Sequence, residues 1–274
     1  VKVLKLSIPG NISNKIVKAI AEFELIEDGD HILVGLSGGK DSSFLLYALA
    51  ILRKYLSIDF QLSAITIDPG FDVNNFDYLR WLCAELEVPY HIEKTEIATY
   101  ILSVEEGTPC AKCAHFRRGA LVEYMRANNI KKVAFGHHYD DAVETFLMSI
   151  LYSGQILSLQ PKRYLSENNI YIIRPLIYIR ENYIIENRSL FNYQPIENPC
   201  PFEKKTKRAE IKEQLRAYTR NKQVFYNLAA AMREGAPVEL WPAKLEEEMA
   251  ARKMKELWLG KEAAEIKKEF TEIK

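Results

Sequence analysis

The sequence predicts an α/β protein built on a doubly wound parallel sheet, with a lead-in helix before it and a helical extension after it. Two observations carry that expectation. Short β-branched runs alternate with stretches of helical periodicity between His31 and Tyr152, the pattern of successive βαβ units. Polar, glycine-containing loops follow two of these runs, where such a sheet opens its ligand crevice. The composition agrees, because 274 residues that are 48% hydrophobic and 27% charged can bury a core without disulfide staples, and they exclude a collagen-like or largely disordered chain.

The elements follow in order. Residues 11–26 carry apolar side chains at helical spacing, with Asn11 or Ser13 as N-cap, until 27–30 (EDGD) break the pattern. The run HILVGL is the first strand, and an amphipathic helix is expected over 43–56. Strand 60–67 and helix 76–87 come next, then strand 90–92, helix 115–128, strand 132–135 and helix 142–152. Residues 170–179 read as a further strand or strand pair broken at Pro175, and 181–192 as a helix. Beyond the turn Asn198-Pro199-Cys200-Pro201 the chain becomes charged and helical, over 204–233 and 240–274. The expected organisation is therefore a lead-in over 1–27, an α/β domain over 28–200 and a helical extension over 201–274.

Charge and cysteine usage narrow the function classes. Lys plus Arg and Asp plus Glu balance at 37 each, so a nucleic-acid partner has to be held by a local basic patch. Four cysteines, Cys83, Cys110, Cys113 and Cys200, do not resemble a secreted disulfide framework. The chain opens on no charged-then-apolar leader, and its longest apolar runs fall short of the roughly 20 residues of a membrane span. The expectation is a cytoplasmic protein in a reducing compartment.

The first loop is Ser37-Gly38-Gly39-Lys40-Asp41-Ser42, set between a strand and a helix. Its glycines let successive N–H groups face one concavity, and the following helix adds its positive end, which suits pyrophosphate. Ser37 and Ser42 can donate hydroxyls, and Lys40 supplies a mobile charge. The loop fits neither GxxxxGK[ST] nor GxGxxG. Asp68, ending the second strand run, can hold magnesium or a ribose hydroxyl, or simply make the turn before Pro69.

A second polar loop, Gly136-His137-His138-Tyr139-Asp140-Asp141, leaves the strand over 132–135. Gly136 allows close approach to a nucleotide, and a carboxylate there can bind magnesium or orient the reacting group, with Asp141 the first choice. The alternative is that Asp140 or Asp141 caps the next helix. The adjacent histidines lack zinc-ligand spacing.

Cys110-Ala111-Lys112-Cys113 opens the helix that carries Arg117 and Arg118, and Cys200 sits between two prolines. Three thiolates can hold zinc with His115, act as a redox pair with a resolving thiol, or hold an iron-sulfur cluster with one iron left open. Cys83, in WLCAEL, reads as a buried small hydrophobe.

SGGKDS resembles the PP-loop of ATP pyrophosphatases. Together with CAKC followed by FRRGAL, GHHYDDAVET and IIRPLIYIRE, it is similar to the tRNA 2-thiocytidine synthetase family over residues 11–202. The resemblance implies a HUP-like α/β fold and an enzyme that adenylates the 2-carbonyl of an anticodon-loop cytidine and replaces the oxygen with sulfur. Carried over residue by residue, it makes Cys110, Cys113 and Cys200 the ligands of a 4Fe-4S cluster. It gives ATP to Ser37, Gly38, Gly39, Lys40, Asp41, Ser42 and Gly136 and makes Asp141 catalytic; by position and chemistry, Asp68 joins the ATP and Mg2+ site, and Arg117, one turn after Cys113, and Lys40 join the catalytic residues. Its partners are tRNA and a sulfur donor, either sulfide or a cysteine desulfurase persulfide. Where family members carry a second CxxC, this chain has Cys200-Pro201-Phe202-Glu203, which keeps the one cysteine that three-thiolate ligation needs.

Residues 201–220 hold seven basic side chains against three acidic ones, a local excess of +4. Lys204, Lys205, Lys207 and Arg208 are the expected RNA-phosphate contacts, next to Cys200; the plain alternative is a solvated helix face. Residues 240–274 carry eight charges of each sign with apolar residues at near-helical spacing, an amphipathic segment suited to packing in a homodimer.

Overall fold

The computed structural model describes residue 4 and residues 6–71, 75–103, 109–196, 211–215, 222–235, 242–243 and 245–259. Strands β1 (His31–Gly35), β2 (Gln61–Asp68), β3 (Tyr90–Lys94), β4 (Lys132–Ala134), β5 (Lys162–Leu165) and β6 (Ile170–Ile173) form one sheet in the order β3-β2-β1-β4-β6-β5. Every pairing is parallel except that of β5 with β6, where Lys162 lies opposite Ile173 and Leu165 opposite Ile170. The chain winds outward from β1 to β3, then returns to place β4 on the other side of β1. That reversal is the topological switch point, and the loops after β1 and β4 open side by side there.

Period-two alternation assigns the strand residues to two faces. Ile32, Val34, Leu62 and Ala64 pack with helices α1 (Gly10–Glu22), α2 (Lys40–Leu52) and α3 (Asp77–Glu85), while Leu33, Ile65, Val133 and Ile170 pack against Leu121 and Met125 of α5 (Pro109–Ala127). Burying side chains of this size stabilises the fold by about 1.5–3 kcal/mol each before entropy is subtracted. The α/β expectation is met, with an antiparallel edge strand added. β5 was not legible because its four residues, KRYL, show little burial contrast.

Other elements depart from the sequence expectation for local reasons. α2 is not amphipathic, since every residue from Ser42 to Leu52 is buried. It lies between the sheet and the segment Arg188–Phe191, with the Phe191 ring 5.7 Å from Phe44 and 5.9 Å from Tyr47. α1 starts at Gly10 behind Pro9 with no side-chain cap, so neither Asn11 nor Ser13 serves as its N-cap. The strand expected to continue past Pro175 ends at Ile173. Pro175 has no N–H to give a ladder, and the chain turns instead, with Ile177 N donating to Arg174 O (3.1 Å) and Ile179 N to Leu176 O (2.8 Å). The helix expected over 181–192 is α7 (Glu181–Glu186) followed by one 3-10 turn, and α4 (Ile97–Ser103) is an element the sequence did not announce.

By contact the chain divides into two units, Val1–Arg233 and Glu234–Lys274. In the first, Leu215, Phe225 and Ala229 pack on Val143 of α6 (Tyr139–Ser153), so the described parts of 211–233 cover that helix. The second contains the helix Glu247–Leu259. Among the described residues no helix is long and apolar enough to cross a membrane.

One buried cation ties the amino ends of the strands together. Lys132, 6% exposed in β4, donates to Glu27 (2.5 Å) and Asp30 (2.6 Å) in the turn before β1. Burial lowers its pKa, but the two carboxylates more than offset this and hold it above the ordinary lysine value. Glu27 is 63% exposed and Asp30 18%, so water can solvate the carboxylates left behind, and removing the lysine costs about 1–3 kcal/mol. Lys132→Ala is expected to lose stability of that order in urea unfolding; a loss under about 1 kcal/mol would show that the pair contributes little.

Candidate active site

The loop after β1 is shaped by its own side chains. Gly38 lies at φ +82°, a region open to glycine at little cost. Ser42 Oγ accepts from Ser37 N (3.2 Å) and donates to Gly39 O (3.1 Å), and Ser43 Oγ donates to the same carbonyl (3.1 Å). Gly39 is the N-cap of α2 and offers no side chain to its first turn. The helix end is therefore dressed for an exogenous anion.

The loop after β4 comes against this turn. A Cβ on Gly136 would sit 2.7 Å from the carbonyl carbon of Asp41 and 2.8 Å from Ser42 N, so only glycine fits without moving backbone. Beyond it, His138 is the N-cap of α6 and is 2% exposed. Its Nδ1 accepts from Asp141 N (3.3 Å), and Asp141 Oδ2 accepts from His138 N (2.9 Å), a reciprocal capping box. Asp141 thus does cap the helix, and it also lines the crevice. Asp140 is committed elsewhere: both its oxygens accept from Arg180 Nε (3.0 and 3.2 Å), and Oδ2 also accepts from Glu181 N (2.7 Å).

Lys40 is held by carboxylates. Its Nζ donates to Asp41 Oδ2 (3.0 Å) and to Glu181 Oε1 (2.9 Å), while Lys212 Nζ reaches the same Glu181 at 2.8 Å. Burial raises the Glu181 pKa, but the bonds from Lys212 and Lys40 outweigh it and bring the carboxyl down to about 2. Burial lowers the Lys40 pKa, and Asp41 and Glu181 more than reverse that. Glu181 was not singled out from the sequence. Its place in IIRPLIYIRE was visible, but its pairing across 141 positions was not. Lys212, read as part of a basic run, points inward to this pair.

These loops frame a crevice of about 860 Å³ along the carboxyl ends of β1, β2, β4 and β6. Ser37, Gly38, Gly39, Asp41, Ser42 and Gly136 line one part of it; Arg117, Arg118, Leu121, His137 and Arg174 line another. Lys40 is not among the lining residues. Neither is Asp68, whose Oδ1 accepts from Gly70 N (3.0 Å) in a strand-end turn. Asp41 Oδ1 is buried without a hydrogen-bond partner, as is Arg117 Nε.

Cys110 and Cys113 are free thiols on the first turn of α5, the former exposed and the latter half-buried. Three residues apart, they share one helix face. Cys83 is buried, which pushes its thiol up to about 12 and keeps it inert. Among the described residues no group of three His, Cys, Asp or Glu side chains is gathered for a metal ion. Cys200, Lys204, Lys205, Lys207 and Arg208 lie outside the described residues.

Comparison with known proteins agrees with this geometry. Residues 10–218 match the PP-loop domain family. The tRNA-cytidine(32) 2-sulfurtransferase of Bdellovibrio bacteriovorus is 36% identical over 217 residues, covering 77% of this chain and 83% of that protein. The tRNA-cytidine(32) 2-sulfurtransferase 1 of Francisella philomiragia is 39% identical over 204 residues, covering 72% and 78%. Among solved structures, the U34-tRNA thiolase NcsA of Methanococcus maripaludis, determined with its [4Fe-4S] cluster, superposes with a TM-score of 0.67 at 20% identity, over 86% of this chain and 83% of that one. A mixed sheet with its switch point beside an SGGKDS turn, and identity of this extent over three quarters of the chain, lead to one conclusion: the chain belongs to the PP-loop family of tRNA-cytidine 2-sulfurtransferases.

Proposed function

We propose that the protein uses ATP to adenylate the 2-carbonyl oxygen of a tRNA cytidine and then replaces that oxygen with sulfur. The observation that carries this reading is the single crevice shared by the PP-loop turn, Gly136, and Arg117 of the helix that begins with Cys110 and Cys113. A nucleotide activated at one part of that crevice lies beside the helix that carries Cys110 and Cys113, through its lining residues Ala114, Arg117 and Arg118. The names of the relatives, as cytidine sulfurtransferases, supply the substrate class.

The residues divide the work. The free N–H groups at the start of α2 and the hydroxyls of Ser37 and Ser42 receive the pyrophosphate that leaves. Asp41, with a buried oxygen that has no hydrogen-bond partner, and Asp141 on the facing loop would hold a magnesium ion, which would supply positive charge to offset the phosphates. Gly136 lets the α-phosphate region approach the backbone. Arg117 faces the charge that develops when the cytosine oxygen attacks the α-phosphorus, and donors of this kind are worth about 2.7–4 kcal/mol each. The sulfur nucleophile then adds at C2, and AMP departs with the original oxygen.

The exposed and half-buried thiols of Cys110 and Cys113, on the helix whose Ala114, Arg117 and Arg118 line the crevice, suit two ligands of a cluster, and Cys200, outside the described residues, would be the third. A 4Fe-4S group bound there supplies an iron position not taken by a thiolate and suited to carrying sulfur; NcsA was determined with such a cluster. The basic run including Lys204, Lys205, Lys207 and Arg208 supplies phosphate contacts for the tRNA, in a cytoplasmic enzyme.

Two outcomes test this reading, and a third tests the Glu181 ion pairs that frame the site. Transfer RNA from cells lacking the protein should lose 2-thiocytidine in nucleoside mass spectrometry; unchanged 2-thiocytidine overturns the assignment. Lys40→Ala, which removes the cation that holds Asp41 and Glu181 beside the turn, should lower tRNA-dependent pyrophosphate release by about 100-fold through misplaced groups while iron and acid-labile sulfide stay bound, whereas Cys113→Ser should lose the iron; iron loss in the lysine variant would contradict the separation of roles. Glu181 has a lowered carboxyl pKa, so its stabilising contribution is complete above about 4.5 and is lost as pH falls toward about 2. Glu181→Gln is expected to abolish that acid-side loss, on the order of 3 kcal/mol, in urea unfolding between pH 5 and pH 2.

A further inference from the structure

The crevice contains a positive charge that the chain itself does not neutralise. Arg174, the residue after β6, is 6% exposed and lines the crevice. Its Nη1 donates to Gln160 O (2.5 Å), but its Nε is buried with no partner. None of the ion pairs among the described residues includes it. Arg163 and Asp141 are the charged groups that act on it, the first opposing its charge and the second favouring it. Burial is the larger effect and lowers the guanidinium to about 10, so it remains charged at neutral pH. A buried cation without a counter-ion is costly, and an unsatisfied buried donor calls for a cause. Arg117, from a different element, brings a second buried and unpartnered Nε to the same crevice.

Position distinguishes Arg174 from the PP-loop. β4 separates β6 from β1, and two strand spacings amount to about 10 Å. The turn at Ser37–Ser42 can grip pyrophosphate while the arginines face a different anionic group. Adenylation needs such a second grip, because the α-phosphoryl group parts from the pyrophosphate and stays with the substrate.

We propose that Arg174, acting with Arg117, forms a second anion subsite that binds a substrate phosphoryl group other than the pyrophosphate held by the PP-loop turn. It rests on the function proposed above only for the identity of the substrates. The phosphoryl group can come from the nucleotide, as the α-phosphate of ATP or the adenylate, or from the RNA, as a phosphodiester of the target nucleotide.

The test uses the full-length protein purified anaerobically, with Arg174→Met, which keeps volume and removes charge, and Arg174→Gln, which can still donate to the Gln160 carbonyl. Both are checked by thermal unfolding. Titration with AMP, with inorganic pyrophosphate and with an anticodon stem-loop RNA separates the sources. At least a tenfold loss of AMP affinity with pyrophosphate binding unchanged supports the subsite and assigns it to the nucleotide. Unchanged AMP binding with weaker RNA binding, and a salt slope reduced by about one, supports it and assigns it to the phosphodiester. Affinity for AMP and RNA unchanged in a folded variant, or equal losses for AMP and pyrophosphate, overturns it. Failure of the wild-type protein to bind RNA while AMP still depends on Arg174 would count against the tRNA reading and leave the subsite standing.

Discussion

The site depends on one close approach of backbone to backbone. Gly136 meets the carbonyl of Asp41 and the N–H of Ser42 at a separation that leaves no room for a Cβ. That contact joins the two loops at the switch point of the sheet, and it lets the capping box of α6 stand next to the uncapped start of α2. If β4 were displaced by even the width of a methyl group, Asp141 would move away from the PP-loop turn. The parallel register of β4 with β1, Ile32 opposite Lys132 and Val34 opposite Ala134, fixes the approach. The Lys132 ion pairs with Glu27 and Asp30 hold the same two strands at their other end.

Around that contact the polar residues form a connected frame. Asp140 binds Arg180 and the backbone of Glu181; Glu181 binds Lys40 and Lys212; Lys40 returns to Asp41. Arg180 also lies over the Phe225 ring at 3.4 Å, so the helix Lys222–Ala231 is tied to the frame through a cation–π contact. Asp140 and Asp141 are neighbours in sequence with different work. One braces α7, while the other caps its own helix and faces the crevice.

Much of this was legible in the sequence, for a physical reason. Strand periodicity, the glycine-rich turn and the polar loop after 132–135 are local signals, and the parallel sheet, the crevice edge and the juxtaposition of SGGKDS with Gly136 follow from them. Features set by distant partners were not legible. The burial of α2 on all sides depends on Phe191, the edge strand β5 depends on a ladder with β6, and the inward turn of Lys212 depends on Glu181. Arg174 left a faint trace, since a charged residue placed directly after the apolar run IYII, at the carboxyl end of a strand, is where an α/β crevice collects ligand contacts.

The charges of the crevice divide into two kinds, and the division bears on the order of binding. Lys40 is neutralised by Asp41 and Glu181 and does not line the cavity. The PP-loop turn therefore presents mainly backbone dipoles to an incoming anion, an attraction that is short-ranged and geometrically selective. Arg117 and Arg174 present full charges with unpartnered donors, which attract any anion that enters. With the proposed subsite, a site built this way would draw the nucleotide or the RNA in through the arginines. In the proposed mechanism the selective grip is kept for a pyrophosphate that reaches the N–H groups of the first turn of α2, since Gly39 N already donates to Ser37 Oγ (3.3 Å). In the proposed mechanism a magnesium ion held by Asp41 and Asp141 would offset the carboxylates that would otherwise repel the phosphates from the turn.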